Sequence, residues 1–285
     1  MFKVIAFTML VAVSVVVAAS GARQERMFAG GDAYERFMGR WSREIAPLLV
    51  KFARVRDGDA VLDVGSGTGA LTSAIAAAAP SSRIIGIDPA ASYVAYARTR
   101  HPAGRIRFEV GDAQQLRFAD GSFDRTLSLL VLNFIPNRSK ALGEMIRVTR
   151  AGGIVAGAVW DYGQGMEMLR VFWDEAVALS SGADARDERH MPLCRKGELA
   201  ELWRAHGLHD VSEQVLTIRM RFSSFDDYWS PFLEKQGPAG DYVAALDVHE
   251  REQLRLRLRK RLLGDGADRP IVLDARAWAV RGTVR

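Results

Sequence analysis

The chain has 285 residues, 48% of them hydrophobic and 26% charged, an ordinary balance for a globular protein with a full core. Its single cysteine, Cys194, excludes an intramolecular disulfide and a cysteine-based zinc cluster, and no metal site is expected. The net charge of +5 is a small surplus for this length.

Residues 1–26 stand apart. Lys3 precedes an apolar run over residues 4–19, and Ser20, Gly21 and Ala22 follow. This is the layout of a secretory signal, and the run is short for a membrane span. Three readings are open: a signal, an anchor that associates residues 4–19 with a membrane, or upstream sequence ahead of a true start at Met27. The third is preferred because enzyme-like sequence begins directly after Met27, and it implies a cytoplasmic protein; export is the alternative.

A helix is expected over residues 34–54, where Phe37, Trp41, Ile45, Leu48, Leu49 and Phe52 recur at three- and four-residue spacing. A strand at 60–64 then runs into Gly65, Gly67 and Gly69, and a helix over 70–79 stops at Pro80. Strand 83–87 ends at Asp88-Pro89, helix 91–100 follows, and strand 105–110 ends at Gly111-Asp112-Ala113. Strand 123–130, helix 140–149 and strand 153–160 complete the series. This alternation predicts βαβ units and a parallel sheet with active groups at the carboxyl ends of its strands. Residues 161–208 read as a mostly helical cap, and strands are expected at 211–222 and 271–280. Between these two strands lies a basic stretch, 251–261, in which Arg255, Arg257, Arg259, Lys260 and Arg261 alternate with leucines. It reads as a solvated helix face, with polyanion binding as the alternative. No internal repeat or long linker divides the chain, so residues 27–285 are expected to be one domain: core 58–160, cap about 161–208, and C-terminal strands 209–285.

Three strand ends carry chemistry. Glycines between a buried strand and a helix start allow positive φ and close approach of a ligand to the backbone, and the helix end attracts anionic or electron-rich groups. Asp88 is placed to accept both hydroxyls of a ribose, which suits NAD and S-adenosylmethionine alike. Asp112 is placed to accept an adenine amino group; a turn or N-cap role is its alternative. Asp63, directly before the glycines, argues against a dehydrogenase and could orient the loop.

These residues resemble the class I S-adenosylmethionine-dependent methyltransferases, in the methyltransferase type 11 group that includes the ubiquinone and menaquinone C-methyltransferases. The matching text is VLDVGSGTG at 61–69, GIDP at 86–89, GDA at 111–113, FADGSFD at 118–124 and EMIRVTRAGG at 144–153. Residues 34–42, YERFMGRWS, resemble the leader of many such domains, and Ala151 stands where the family often has proline, a change confined to a turn. The resemblance implies a doubly wound, mostly parallel seven-stranded α/β sheet, with the last strand antiparallel beside the fifth. It implies S-adenosyl-L-methionine as cofactor. Gly65 and Gly67 would lie against its methionine part, Asp88 would hold the ribose, and Asp112 and Ala113 the adenine. Ser128 and Leu129 would flank the methyl region, with Asp63, Ser66, Gly69 and Pro89 completing the set.

The acceptor side is less specific. Trp160, Asp161 and Tyr162 should face the acceptor, a core role being the alternative. Tyr34, Arg40 and Trp41 could close over the cofactor, with Arg40 on its carboxylate or in a surface salt bridge. No histidine stands out as a base. Methyl transfer from a sulfonium needs alignment and exclusion of water before it needs a base. A small-molecule acceptor is the leading expectation. Nucleic acid is not expected as a partner, because no RNA-binding module is present. The competing readings are an RNA or protein methyltransferase and a non-catalytic cofactor-binding protein.

Overall fold

A computed structural model describes residues 30–101 and 104–285. The signal-like segment 1–26 lies outside the described residues. Seven strands form one sheet in the order β3-β2-β1-β4-β5-β7-β6. Strands β1 (Ala60–Val64), β2 (Arg83–Asp88), β3 (Ile106–Val110), β4 (Phe123–Leu129) and β5 (Thr149–Trp160) are parallel. Strand β7 (Ile271–Thr283) runs antiparallel between β5 and β6 (His209–Phe222), as the resemblance implied. The chain enters at the sheet centre, winds outward through β2 and β3, and returns to place β4 on the other side of β1. That reversal opens a crevice beyond the carboxyl ends of β1 and β4.

Helices α2 (Ala70–Ala78), α3 (Ala91–Arg100) and α4 (Arg138–Val148) make the crossovers. Side chains alternate across the sheet as the strand period requires. Val61, Leu127, Ala156 and Ala158 face one core with α1 (Arg40–Phe52) and α2. Leu62, Val64, Val155 and Val159 face the other, with α4 and α6 (Glu198–Ala205). Helix α1 buries Trp41, Ile45, Leu49 and Phe52 of the stripe read from the sequence, whereas Leu48 turns to the surface. It is preceded by a single helical turn, Gly31–Tyr34, and a π-helical turn, Glu35–Gly39. Strand β5 starts earlier than expected, and its pairing with β4 shifts register between Phe123 and Arg125, so that residues 150–153 bulge around Gly152 (φ 71°).

The region after β5 divides differently from the expectation. Helix α5 (Glu167–Leu179) caps the crevice side, whereas α6 covers the opposite face, where Trp203 is fully buried and donates its indole N–H to Val155 O at 2.9 Å. Conversely, α7 (Phe225–Trp229), the 3-10 turn Ser230–Glu234 and α8 (Gly237–Ala245) join the cap. Phe172 of α5 stacks on Phe232 with ring centres 4.6 Å apart, and Phe37 of the leader meets Phe232 at 5.5 Å. Each such aromatic contributes about 1.5–3 kcal/mol by burial. Aromatic burial thus overrides sequence adjacency: the rings at 172, 228 and 232 find one another across a strand-containing stretch that looked separate. Helix α9 (Val248–Leu263) starts with a capping box, in which Asp247 accepts from Glu250 N at 2.8 Å and Glu250 accepts from Asp247 N at 3.0 Å.

Candidate active site

The crevice contains a cavity of about 230 Å³ between the ends of β1, β2, β4 and β5, the leader helix and the cap. At one end lies the glycine loop. Gly65 (φ 74°) and Gly67 (φ 51°) adopt backbone conformations that side chains resist. Gly65 and Ser66 both donate their N–H to Ile87 O at 2.8 Å, which ties the loop to β2. A Cβ on Gly65 would stand 2.5 Å from Val131 Cγ1, whereas a Cβ on Gly67 would meet nothing within 4 Å. The first glycine lets the loop pack, and the second leaves open space along the cavity wall.

Asp88 lies beside the loop, largely buried, and lines the cavity. Its Oδ2 accepts from Gly67 N and its Oδ1 from Ala90 N, each at 2.9 Å. Burial raises its pKa against these two hydrogen bonds, which lower it. Asp63 stands behind the loop, fully buried. Its Oδ2 accepts from the Thr72 hydroxyl at 2.7 Å, its Oδ1 has no partner, and burial pushes its carboxyl up to about 7. The neighbouring Thr68 hydroxyl donates to Glu35 at 2.5 Å, and Glu35 pairs with Arg43, so the leader is fastened to the glycine loop. That attachment brings Tyr34 to the cavity, with its hydroxyl 3.2 Å from Ser42 Oγ and its ring 5.3 Å from that of Tyr93.

The other end is apolar. Leu129, Leu130, Phe134, Trp160, Tyr162 and Leu169 line it. Leu130 holds φ at 63°, a strained conformation for a leucine, as β4 turns away from the sheet. The Trp160 indole nitrogen is buried and has no hydrogen-bond partner. Glu188 also reaches this wall.

Several expected residues are not brought to the cavity. Arg40 does not line the cavity: it donates to Asp227 Oδ1 at 2.8 Å and lies 4.3 Å from the Trp41 ring, the salt-bridge alternative open in the sequence. Trp41 is core, edge-on to Phe222. Asp161 is engaged by Arg276, with Nη2–Oδ2 at 2.5 Å, and caps the following turn by accepting from Gln164 N. Asp112 is an exposed turn residue whose Oδ1 accepts from Gln114 N at 2.8 Å, and Ala113 packs into the core of the opposite sheet face. Ser128 is buried within β4, its hydroxyl unpartnered, and only Leu129 of that pair reaches the wall. Gly69, at φ 92°, precedes α2 and serves the loop's return rather than the cavity. Gly65, Ser66, Gly67, Asp88, Pro89, Leu129, Tyr34, Trp160 and Tyr162 do converge on the cavity.

Residues 62–157 match the methyltransferase domain family. The ubiquinone/menaquinone biosynthesis C-methyltransferase of Geobacter sulfurreducens is 35% identical over 119 residues, covering 40% of this chain and 45% of that enzyme. The chain carries a class I S-adenosylmethionine-dependent methyltransferase domain. Similarity extends beyond the domain in an uncharacterised protein of Mycobacterium tuberculosis, 26% identical over 252 residues that cover 86% of this chain and 90% of the relative. The fold is shared with Haemonchus contortus phosphoethanolamine N-methyltransferase 2, solved with phosphomonomethylethanolamine and S-adenosylhomocysteine, at a TM-score of 0.57 and 18% identity over 92% of this chain and 59% of that one.

The methyltransferase cavity fits its cofactor by its own features. The open space over Gly67, the Asp88 carboxyl on the wall and the buried, unpartnered Ser66 hydroxyl are groups that a polar ligand would complete. When bound, S-adenosylmethionine supplies an electrophilic methyl on a sulfonium leaving group. The protein's task is then to align the acceptor and keep water out.

Phe37, Thr68, Tyr93 and Glu188 also line the cavity, and no local pattern in the sequence marks them for it. Phe37 was legible only as a helix-face residue. Tyr93 donates its hydroxyl to Gln236 at 3.1 Å, a partner more than a hundred residues away. Glu188 sits in a stretch rich in charged residues with nothing local to distinguish it, and it reaches the cavity only because α5 and the turn that carries it fold back over β5.

Proposed function

We propose that this methyltransferase acts on a small, largely apolar acceptor held at the Trp160–Tyr162 end of the cavity, with the cofactor along the glycine loop. Gly65, Ser66 and Gly67 would lie against the methionine part, and Asp88 would accept from the ribose. Leu129 and Leu130 would border the reacting methyl, with Tyr34 closing the roof. The observation that carries this reading is the cavity wall itself, continuous from the glycine loop to the aromatic end and roofed by the cap and the leader. Such a chamber suits a molecule that can be enclosed and desolvated.

The basic helix argues against a polyanionic acceptor. Arg257 and Arg261 pair with Glu175, and Arg261 also with Asp174. Arg255 pairs with Glu252, and Arg259 donates to Gly266 O at 2.9 Å. Most of the helix's basic groups are engaged within the chain, and none of its residues lines the cavity. Cytoplasmic action is part of this proposal. Separately, no described helix is long and apolar enough to cross a membrane.

The test is a methyl-transfer screen with labelled cofactor against a metabolite extract, total RNA and a protein lysate, with products identified by mass. Label in a small molecule supports the reading. Label only in RNA or protein overturns it, as does retention of cofactor without transfer to any fraction. RNA mobility should be unchanged at low salt, since salt-sensitive binding is the mark of a phosphate-contacting protein.

A further inference from the structure

Resting on that reading, we infer that Glu188 contacts the acceptor and that the acceptor is a small, apolar amine whose ammonium group Glu188 recognises and whose proton it receives. Among the described residues lining the cavity, two carry ionisable carboxyls, Asp88 and Glu188, and no Lys, Arg or His is present. Asp88 belongs to the glycine-loop end, where two backbone N–H groups hold it. Glu188 is therefore the one carboxyl at the apolar end, and it is 2% exposed. An anionic acceptor would meet no Lys, Arg or His there to balance its charge. An amine would meet a carboxyl in a wall of Trp160, Tyr162 and Leu169.

The carboxyl is held in place from behind. The Trp173 indole N–H donates to Glu188 Oε2. The preceding residue, Asp187, is buried and gripped by Arg170 and by Arg189, the latter at 2.5 Å. Arg189 also reaches Asp174 at 3.3 Å. The arginines satisfy Asp187 and leave Glu188 as the carboxyl turned to the wall. The ionisable groups facing Glu188 are Asp187 and Arg170 from its own side of the cap, and Tyr162 and Cys194 from the segments after β5 and before α6. Burial pushes Glu188 up to about 8, so it is largely neutral near pH 7, and a bound ammonium would restore its charge.

The chemistry balances without a further reagent. The ammonium gives its proton to the Glu188 carboxylate. The freed nitrogen lone pair forms the new N–C bond with the methyl as the S–C bond breaks, and that bond's electron pair stays on sulfur as a neutral thioether. A carboxylate in an apolar wall both selects the cation and takes the proton that would otherwise block the nitrogen. The buried Trp160 N–H, without a partner in the protein, offers a second polar contact on the same wall.

The test uses the intact chain saturated with S-adenosylhomocysteine and matched sets of short alkyl and arylalkyl amines, alcohols and carboxylates, for example 2-phenylethylamine, 2-phenylethanol and phenylacetate. Binding is read by calorimetry. Amines should bind about tenfold to a hundredfold more tightly than their alcohol and carboxylate counterparts, the difference expected of one charge-assisted hydrogen bond. Glu188→Gln should abolish that preference and leave S-adenosylhomocysteine affinity unchanged. The inference fails if the wild-type chain shows no amine preference, if the preference survives Glu188→Gln, or if that variant weakens S-adenosylhomocysteine itself, which would place Glu188 on the cofactor. The wild-type comparison stands even if the variant does not fold. A methylated small molecule that is not an amine would overturn this inference and leave the small-molecule reading intact, whereas label only in macromolecules would overturn both.

Discussion

Gly65 offers the sharpest test of how the glycine loop works. In Gly65→Ala the added Cβ would lie 2.5 Å from Val131 Cγ1, 2.7 Å from Cγ2 and 2.8 Å from Cβ, and the residue would have to keep φ at 74°. The left-handed conformation costs about 1–2 kcal/mol for a non-glycine residue. Forcing a methyl into a packed contact costs about 1–3 kcal/mol more. Gly65→Ala should therefore lose about 2–5 kcal/mol in urea unfolding, a large part of a typical domain's stability. Gly67→Ala is the internal control. Its φ of 51° carries the same conformational cost, but its Cβ meets nothing within 4 Å. It should lose only about 1–2 kcal/mol of stability, while the methyl, placed in the cavity, weakens S-adenosylhomocysteine by at least about tenfold. Val131→Ala removes two of the three clashing atoms and keeps the Cβ at 2.8 Å, so it should rescue Gly65→Ala in part. If Gly65→Ala is no less stable than Gly67→Ala, close packing against Val131 is not what demands glycine at 65.

Asp88→Ala should weaken S-adenosylhomocysteine in calorimetry and also loosen the loop, because it removes the acceptor of Gly67 N and Ala90 N; an unchanged affinity would refute its binding role. Arg40→Ala should leave that affinity unchanged while costing about 1–2 kcal/mol of stability through the lost Asp227 pair and ring contact; a large loss of affinity would restore it to the site. Asp63 makes stability depend on pH. Its folded pKa of about 7 lies above the ordinary carboxylate value, so between those two values the folded chain binds more protons than the unfolded one, and its contribution to stability falls as pH rises toward 7. Asp63→Asn should flatten that part of the profile, and an unaltered slope in unfolding experiments across pH 4 to 7 would refute the assignment. Thr72→Val, which removes the carboxyl's one side-chain donor, should cost about 1–3 kcal/mol.

The cofactor half of the site was readable because local chemistry writes it. A strand, a glycine turn and a helix start are consecutive in sequence, so 60–79 and the strand end at Asp88 carry their own punctuation. Asp112 is local too: its carboxylate accepts from the backbone two residues on, the turn role that the sequence left open beside the adenine one. Arg40 shows the opposite cause. Its helical position was legible, but its partner Asp227 lies 187 residues away, and no spacing rule reaches that far. The division of the cap failed for the same reason. Trp173 and Trp203 looked alike in sequence, yet one supports Glu188 and the other hydrogen-bonds β5 on the opposite face.

This difference has a consequence for how such a site can change. The glycine loop, Asp88 and Asp63 depend on the sheet centre and on each other, so a substitution there is felt in folding and cofactor binding together. The acceptor wall stands in part on the ends of β4 and β5, at Leu129 and Trp160, but the rest of it is assembled from segments outside the sheet: the leader, the turn at Glu188 and the loop before α8. The Asp187–Arg170–Arg189 brace fixes Glu188 from outside the cavity, so the carboxyl could be exchanged while the brace, the sheet and the loop stay in place. Exchanging Glu188 for a neutral residue should therefore alter which acceptor is taken before it alters stability, and exchanging Asp187, which would take from the largely buried Arg170 its carboxylate partner and leave Arg189 with Asp174 alone, should do the reverse. Measured side by side, Glu188→Gln should unfold close to wild type in urea. Asp187→Asn should lose about 3–5 kcal/mol, the cost of breaking a buried ion pair from one side. A Glu188→Gln variant less stable than Asp187→Asn would mean that Glu188 is part of the brace and that the acceptor wall ends at Trp160 and Tyr162.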